Sequence, residues 1–346
     1  MLDDLLRERN VPSLLPREAA LAVLQQEEYG FLPQAPENLS FAVEEDVIPR
    51  FCGGDAVLHR VTASFTLRGK PFSFPFSAVL IPDGRPHPFF VHINFRPDVP
   101  DRYMPTEELV DNGFAVLSFC YKDVASDDGD FTSGLAGLLF ANGERRPSDP
   151  GKIALWAWAA SRVLDWAETR PDALDRNRSV VCGHSRLGKT ALLAAATDSR
   201  FAFAYSNDSG CSGAALARGT RGERVRDICR NFPFWFCENY LHWVDNEDNM
   251  PFDQHDLIAA VAPRKALIGS ASEDDWADPI SEQLACAAAG SAFPNGFDGA
   301  EAPAQTGEAF LSGDVGYHLR RGRHCFTRKD WHRLMQFVKL HSEKTE

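Results

Sequence analysis

The sequence predicts an α/β fold in which antiparallel N-terminal strands lead into a mostly parallel sheet with helices on both faces. Three observations predict it. Residues 39–81 alternate apolar and polar side chains between glycine-containing turns, the period of half-buried antiparallel strands. From residue 88 onward, short and nearly continuous apolar runs alternate with helix-period segments, as expected of strands covered on both faces. Residues 179–197 set an apolar strand, a tight glycine turn and a small-residue helix in direct succession.

Taken in order, residues 13–30 (SLLPREAALAVLQQEEYG) place Leu and Ala at helical spacing with Gly30 as the stop, so 1–38 reads as an N-terminal helical extension. Strands follow in FAVEEDVI (41–48), AVLHRVTASFTL (56–67) and PFSFPFSAVLI (71–81), broken by Gly53-Gly54 and Arg68-Gly69-Lys70. PFFVHI (88–93) and GFAVLSF (113–119) read as buried strands. KIALWAWAASRVLDWAET (152–169) reads as a long packed helix. After 179–197 come a strand at 201–206, an irregular aromatic-rich insertion within 210–250, a helix in DQHDLIAAVA, a strand at 265–271 and a helix from about Pro279. Residues 290–312 are rich in Gly and Ala and carry no clear pattern. GYHLRRGRHCF opens on a short strand, and KDWHRLMQFVKLH is an amphipathic closing helix. Without internal repeat or linker, 1–346 reads as one domain.

Composition bounds the function. With 36 Lys+Arg against 49 Asp+Glu the formal charge is −13, the wrong sign for a sequence-independent nucleic-acid or anionic-membrane binder. No run approaches the ~18 apolar residues of a membrane-spanning helix. The opening MLDDLLRERN lacks the basic start and apolar stretch of a secretory signal, so a cytoplasmic protein is expected unless a leader has been trimmed. The eight cysteines form no CxxC pair or short-spaced framework and read mostly as small buried hydrophobes.

The informative motif is Gly183-His184-Ser185-Arg186-Leu187-Gly188-Lys189. A serine on a sharp strand-to-helix turn projects its hydroxyl from the C-terminal edge of the sheet, and the next residue's N–H lies at a helix N-terminus suited to an oxyanion. The usual hydrolase spelling is G-x-S-x-G, whereas here the second glycine comes one place later. The same letters also fit G-x-x-x-x-G-K-[ST] at 183–190, so a nucleotide-binding loop is a rival reading. Against it, no strand end offers a clear Walker-B aspartate run. An α/β hydrolase carries its acid and its histidine after the nucleophile in the chain. The strand at 265–271 runs into Ser272-Glu273-Asp274-Asp275-Trp276, and Arg323-His324-Cys325 precedes the last helix, so Ser185, Asp274 and His324 stand in that order.

With GFAVLSFCYKDV, IALWAWAASRVLDW, GHSRLGKTALLAAATDSRFA, SNDSGCSGAAL, MPFDQHDLIAAVAPR, SEDDWADP and GRHCFTRKDW in succession, the chain from about Gly113 to His341 resembles the glucuronoyl esterases of carbohydrate esterase family 15. Bacterial relatives in that family are often labelled acetylxylan esterases. The resemblance implies an α/β-hydrolase fold and accounts for the displaced glycine, because members use G-x-S-R-x-G-K. It implies Ser185 as nucleophile, His324 as general base and Arg186 as an oxyanion donor. It also implies sugar contacts from Lys189, Glu223 and Trp276. The acid is Asp274 by the ordinary hydrolase position, with Asp208 in SNDSG as the alternative. Many fungal members bridge a Cys before the nucleophile to the Cys after the histidine; here position 184 is His, which leaves Cys325 without that partner. The expected partner is a small carbohydrate ester, with no metal or organic cofactor. The leading expectation is a glucuronoyl esterase acting on xylan-derived fragments, with an O-acetyl esterase second and the nucleotide-binding loop third.

Overall fold

The alternating run at 57–80 closes as a hairpin. In a computed structural model, which describes residues 1–140, 143–299 and 302–342, β2 (Val57–Leu67) pairs antiparallel with β3 (Lys70–Leu80) from Val57↔Leu80 to Leu67↔Lys70. The two loop residues, Arg68 and Gly69, sit at φ 52° and 73°, the mirror-image turn whose twist matches that of the flanking strands. Ahead of the hairpin, β1 (Glu37–Glu44) covers its outer edge. Behind it, β3 pairs antiparallel with β5 (Ala115–Cys120), and there the sheet changes character. From β5 through β4 (His87–Asn94), β6 (Leu174–His184), β7 (Phe203–Asn207), β8 (Lys265–Ala271) and β10 (Val315–Arg320) every neighbour is parallel. A two-residue β9 (Ala309–Phe310) closes the far edge. The spatial order is β1-β2-β3-β5-β4-β6-β7-β8-β10-β9 among the described residues.

Strand alternation feeds two cores. Phe89, Val91 and Ile93 face the larger one, beneath the helices Lys152–Ala167, Arg186–Thr197 and Pro279–Ala289. Phe90, Val116, Val180 and Leu267 face the smaller one, against Trp331, Leu334 and Phe337 of the Arg328–Ser342 helix. Helices therefore cover both faces, which is why the central strands are apolar throughout. Trp156, fully buried, donates its indole N–H to Ala125 O at 3.0 Å and so ties the core helix to the loop after β5. Truncating such a ring costs about 3–5 kcal/mol.

At the N-terminus the helical expectation at 13–30 narrows to Arg17–Leu24, continued by a wider turn over Gln25–Tyr29, and a further helix, Leu2–Glu8, precedes it. Both dock on the body. Arg9 Nη1 donates to Ser281 Oγ at 2.6 Å, and Arg17 reaches Ala260 O and Ala196 O. The first strand begins at Glu37 and not at 41, because its edge position tolerates a polar start. No described helix is long and apolar enough to cross a membrane.

Candidate active site

Parallel strands deliver their C-terminal ends to one edge, and the polar loops gather there. β6 ends at His184, and Ser185 occupies φ 58°, ψ −128°, a strained conformation for a residue with a side chain. Its amide donates to Asn207 O at 2.8 Å, and its carbonyl accepts from the amides of Gly188 and Lys189. Its side chain makes no capping bond to the helix it begins. Both glycines of the motif are needed for close approach. A Cβ at Gly183 would lie 2.2 Å from Leu187 O, and one at Gly188 would meet Ser206 Oγ at 2.9 Å and Asn207 O at 3.2 Å. The displaced second glycine is therefore where the first helical turn crosses β7.

The loop after β8 carries Asp274, and the loop after β10 carries His324. His324 Nδ1 lies 2.6 Å from Asp274 Oδ2; the carboxylate is buried and the imidazole half-exposed. Asp208, one residue past β7, also comes near, since one atom each of Asp208, Asp274 and His324 lie within 4.8 Å of one another. Its Oδ2 is engaged elsewhere, accepting from Arg320 Nη2 at 2.8 Å, while Oδ1 is buried without a hydrogen-bond partner. Burial pushes the Asp208 carboxyl pKa up, against the pull of Arg320.

Arg320 was not anticipated from the sequence. Its guanidinium binds Asp330 and Asp208 and the carbonyls of Arg323 and Cys325, so it stitches together the loop that presents His324. Asp127, in the unpatterned loop after β5, was also missed. It accepts from Tyr121 Oη at 2.7 Å, from Trp235 Nε1 at 2.7 Å and from Arg186 Nη1. Arg186 is thereby fixed beside Ser185, with its guanidinium carbon 4.6 Å from the Trp235 ring centroid and its Nε buried without a partner. The basic run RRGRHC was the available signal for Arg320; Asp127 had none.

The expected sugar contacts are close together but unequal. Trp276 is 56% exposed, the most open aromatic side chain among the described residues. Its carbonyl accepts from Glu223 N at 2.9 Å. Burial raises the Glu223 pKa, opposed by Lys189 and by the Trp276 side chain. Lys189 is buried and donates Nζ to Ser209 O and to Cys211 O, the latter at 2.7 Å, so its first task is to hold the 209–211 loop. Desolvation lowers its pKa. This placement corrects the nucleotide-binding reading of 183–190, because Lys189 is turned into backbone carbonyls and the Ser185 amide is tied to Asn207. Phe236, Tyr240 and Trp235 of the aromatic insertion are all buried in the core, and Trp235, stacked on Phe232 with centroids 4.0 Å apart, also borders Arg186.

A parallel sheet whose C-terminal edge carries a strained serine turn and an imidazole–carboxylate pair defines an α/β-hydrolase-type protein. Comparison with known proteins makes this specific. A family model described as glucuronyl esterase, fungi, matches residues 64–295. The chain belongs to the glucuronyl esterase family. It is 40% identical over 241 residues to the carbohydrate esterase MZ0003 of an unknown prokaryotic organism, covering 68% of this chain and 55% of that protein. It is 28% identical over 270 residues to the 4-O-methyl-glucuronoyl methylesterase of Podospora anserina, covering 75% of this chain and 51% of the relative. The chain thus spans about half the length of the curated relatives it matches. The solved glucuronoyl esterase from Solibacter usitatus superposes with a TM-score of 0.85 at 31% identity, over 94% of this chain and 91% of that one.

Proposed function

We propose that the chain is a serine esterase hydrolysing esters of 4-O-methyl-glucuronate on xylan-derived fragments. The observation that carries the proposal is the 2.6 Å contact between His324 Nδ1 and Asp274 Oδ2 at the sheet edge that holds the Ser185 turn. Asp274 fixes the tautomer and orientation of His324, which takes the Ser185 proton as the hydroxyl attacks the ester carbonyl. The alcohol leaves with a proton from His324, and water then cleaves the acyl-serine by the same route in reverse. Oxyanion charge falls to the Arg186 N–H at the start of the helix and to its guanidinium, each such donor contributing ~3 kcal/mol. Asp127 keeps that guanidinium in place. Trp276 offers a flat apolar face, and Glu223 a polar contact, to a sugar acyl group, while Lys189 holds the 209–211 loop beside them.

The name of the Podospora relative, a methylesterase of 4-O-methyl-glucuronate, supports this substrate class. The test compares a methyl ester of 4-O-methyl-glucuronate with acetylated xylo-oligosaccharides. Preference for the uronate ester supports the proposal, and preference for the acetyl esters replaces it with an O-acetyl esterase on the same serine.

A further inference from the structure

We propose that His184 is a positioning residue, a second imidazole locked by Asn207 that braces the ring of His324. The proposal rests on the esterase reading for what the brace is for, and on geometry for its existence. The two imidazole centroids are 4.4 Å apart with their planes inclined at 44°. Among the described residues Asp274, through Nδ1, is the one hydrogen-bond partner of the His324 ring, so the ring is free to swing about that bond unless something stands against its face. His184 stands there, itself held on other sides by Phe95 and Phe326, at centroid distances of 6.2 and 6.4 Å.

His184 is oriented more firmly than the residue it supports. Its Nδ1 is 2.8 Å from Asn207 Oδ1, while Asn207 Nδ2 points to Tyr205 Oη at 3.4 Å and Gly269 O at 3.5 Å. A carbonyl oxygen accepts only protons, so Gly269 assigns the Asn207 amide, and the amide in turn assigns the proton of His184 to Nδ1. Nε2 is left as a lone pair. The charged and titratable groups around the ring are Arg320 at the end of β10 and His324 and Cys325 in the loop after it, with His92, Arg96 and Tyr103 across a cavity of about 140 Å³. Burial first, then His324 and Arg320, drives the His184 pKa down to about 3, and burial takes His92 to about 4. A neutral aromatic face therefore meets His324 when it becomes imidazolium, which a charged neighbour would repel.

Two variants separate ring from hydrogen bond. His184→Asn keeps a polar group near Asn207 and removes the ring; His184→Phe keeps the ring and removes the bond. The expectation for His184→Asn is a kcat lower by about 10- to 100-fold with KM within about threefold, the scale of a misplaced catalytic group. His184→Phe is expected to stay within about threefold of wild type, with a superimposable pH profile of kcat/KM. Wild-type kcat in His184→Asn overturns the proposal. So does a His184→Phe variant as inactive as His324→Ala, which would make His184 a base. A second readout needs no substrate and so survives failure of the esterase reading. In the resting protein the His324 Nδ1 proton should give a low-field NMR signal in wild type and His184→Phe, broadened by exchange in His184→Asn. An equally sharp signal in all three proteins means that the ring braces nothing.

Discussion

Asp274 and Asp208 both approach His324, yet Asp274 alone hydrogen-bonds its imidazole, at 2.6 Å, while Asp208 is bound to Arg320 at 2.8 Å. The two carboxylates leave adjacent strands and have different partners. Asp274→Asn should lower kcat by about 10³- to 10⁴-fold, as loss of the orienting carboxylate does in serine hydrolases. Asp208→Asn should leave kcat of the folded protein within about tenfold and act mainly on stability, since breaking a buried ion pair costs about 3–5 kcal/mol. Steady-state kinetics with a melting curve for each variant separate these outcomes. The reverse pattern assigns the acid to Asp208.

Asp127 is the least expected residue of the site. Three donors converge on one carboxylate, and one of them is the arginine next to the candidate nucleophile. Asp127→Asn should release Arg186 and reduce kcat on a small acetate ester by about 10²-fold, the scale of one lost oxyanion donor, with little change in KM. An unchanged kcat would mean that the Arg186 guanidinium has no part in the chemistry.

The sequence reading gives Trp276 and Lys189 the same role, and the structure separates them. Trp276→Ala removes an exposed ring and should damage turnover of a glucuronate ester far more than that of an acetate ester, because stacking needs a sugar in the acyl position. Lys189→Ala removes the donor that holds Ser209 O and Cys211 O, so both substrates and the melting temperature should suffer together. A selective loss in Lys189→Ala would return the residue to sugar recognition.

Glu28 gives a pH prediction. It is fully buried against Gln254, and burial raises its pKa from 4.5 to about 8. Between these values the folded state keeps a proton that the unfolded chain releases, so stability is fully present below the unfolded value and falls as pH rises toward 8. The melting temperature should therefore decline across that window, and Glu28→Gln should flatten the decline. An identical slope in both proteins would show that Glu28 is already ionised in the folded state.

Ser185, Asp274 and His324 were legible because each follows a readable strand, and chain order alone brings three parallel strand ends to one edge. Gly188 was legible as a departure from the common spelling, but its reason lies in contact with β7, which no local pattern carries. Asp127 and Arg320 were hidden because their partners are remote in sequence: Trp235 is 108 positions from Asp127, and Asp208 is 112 from Arg320. The helix Leu2–Glu8 was hidden because a single residue, Leu2, is buried from it, too little for an apolar period. β9, at two residues, is shorter than any strand signal.

The most direct measurement is kcat/KM for a methyl ester of 4-O-methyl-glucuronate with wild type and Ser185→Ala, alongside their melting temperatures. The expected result is measurable wild-type hydrolysis, a loss of about 10⁴-fold or more in the variant, and melting temperatures within a few degrees of each other. A correctly folded Ser185→Ala protein that retains more than a few per cent of wild-type activity would show that Ser185 is not the nucleophile.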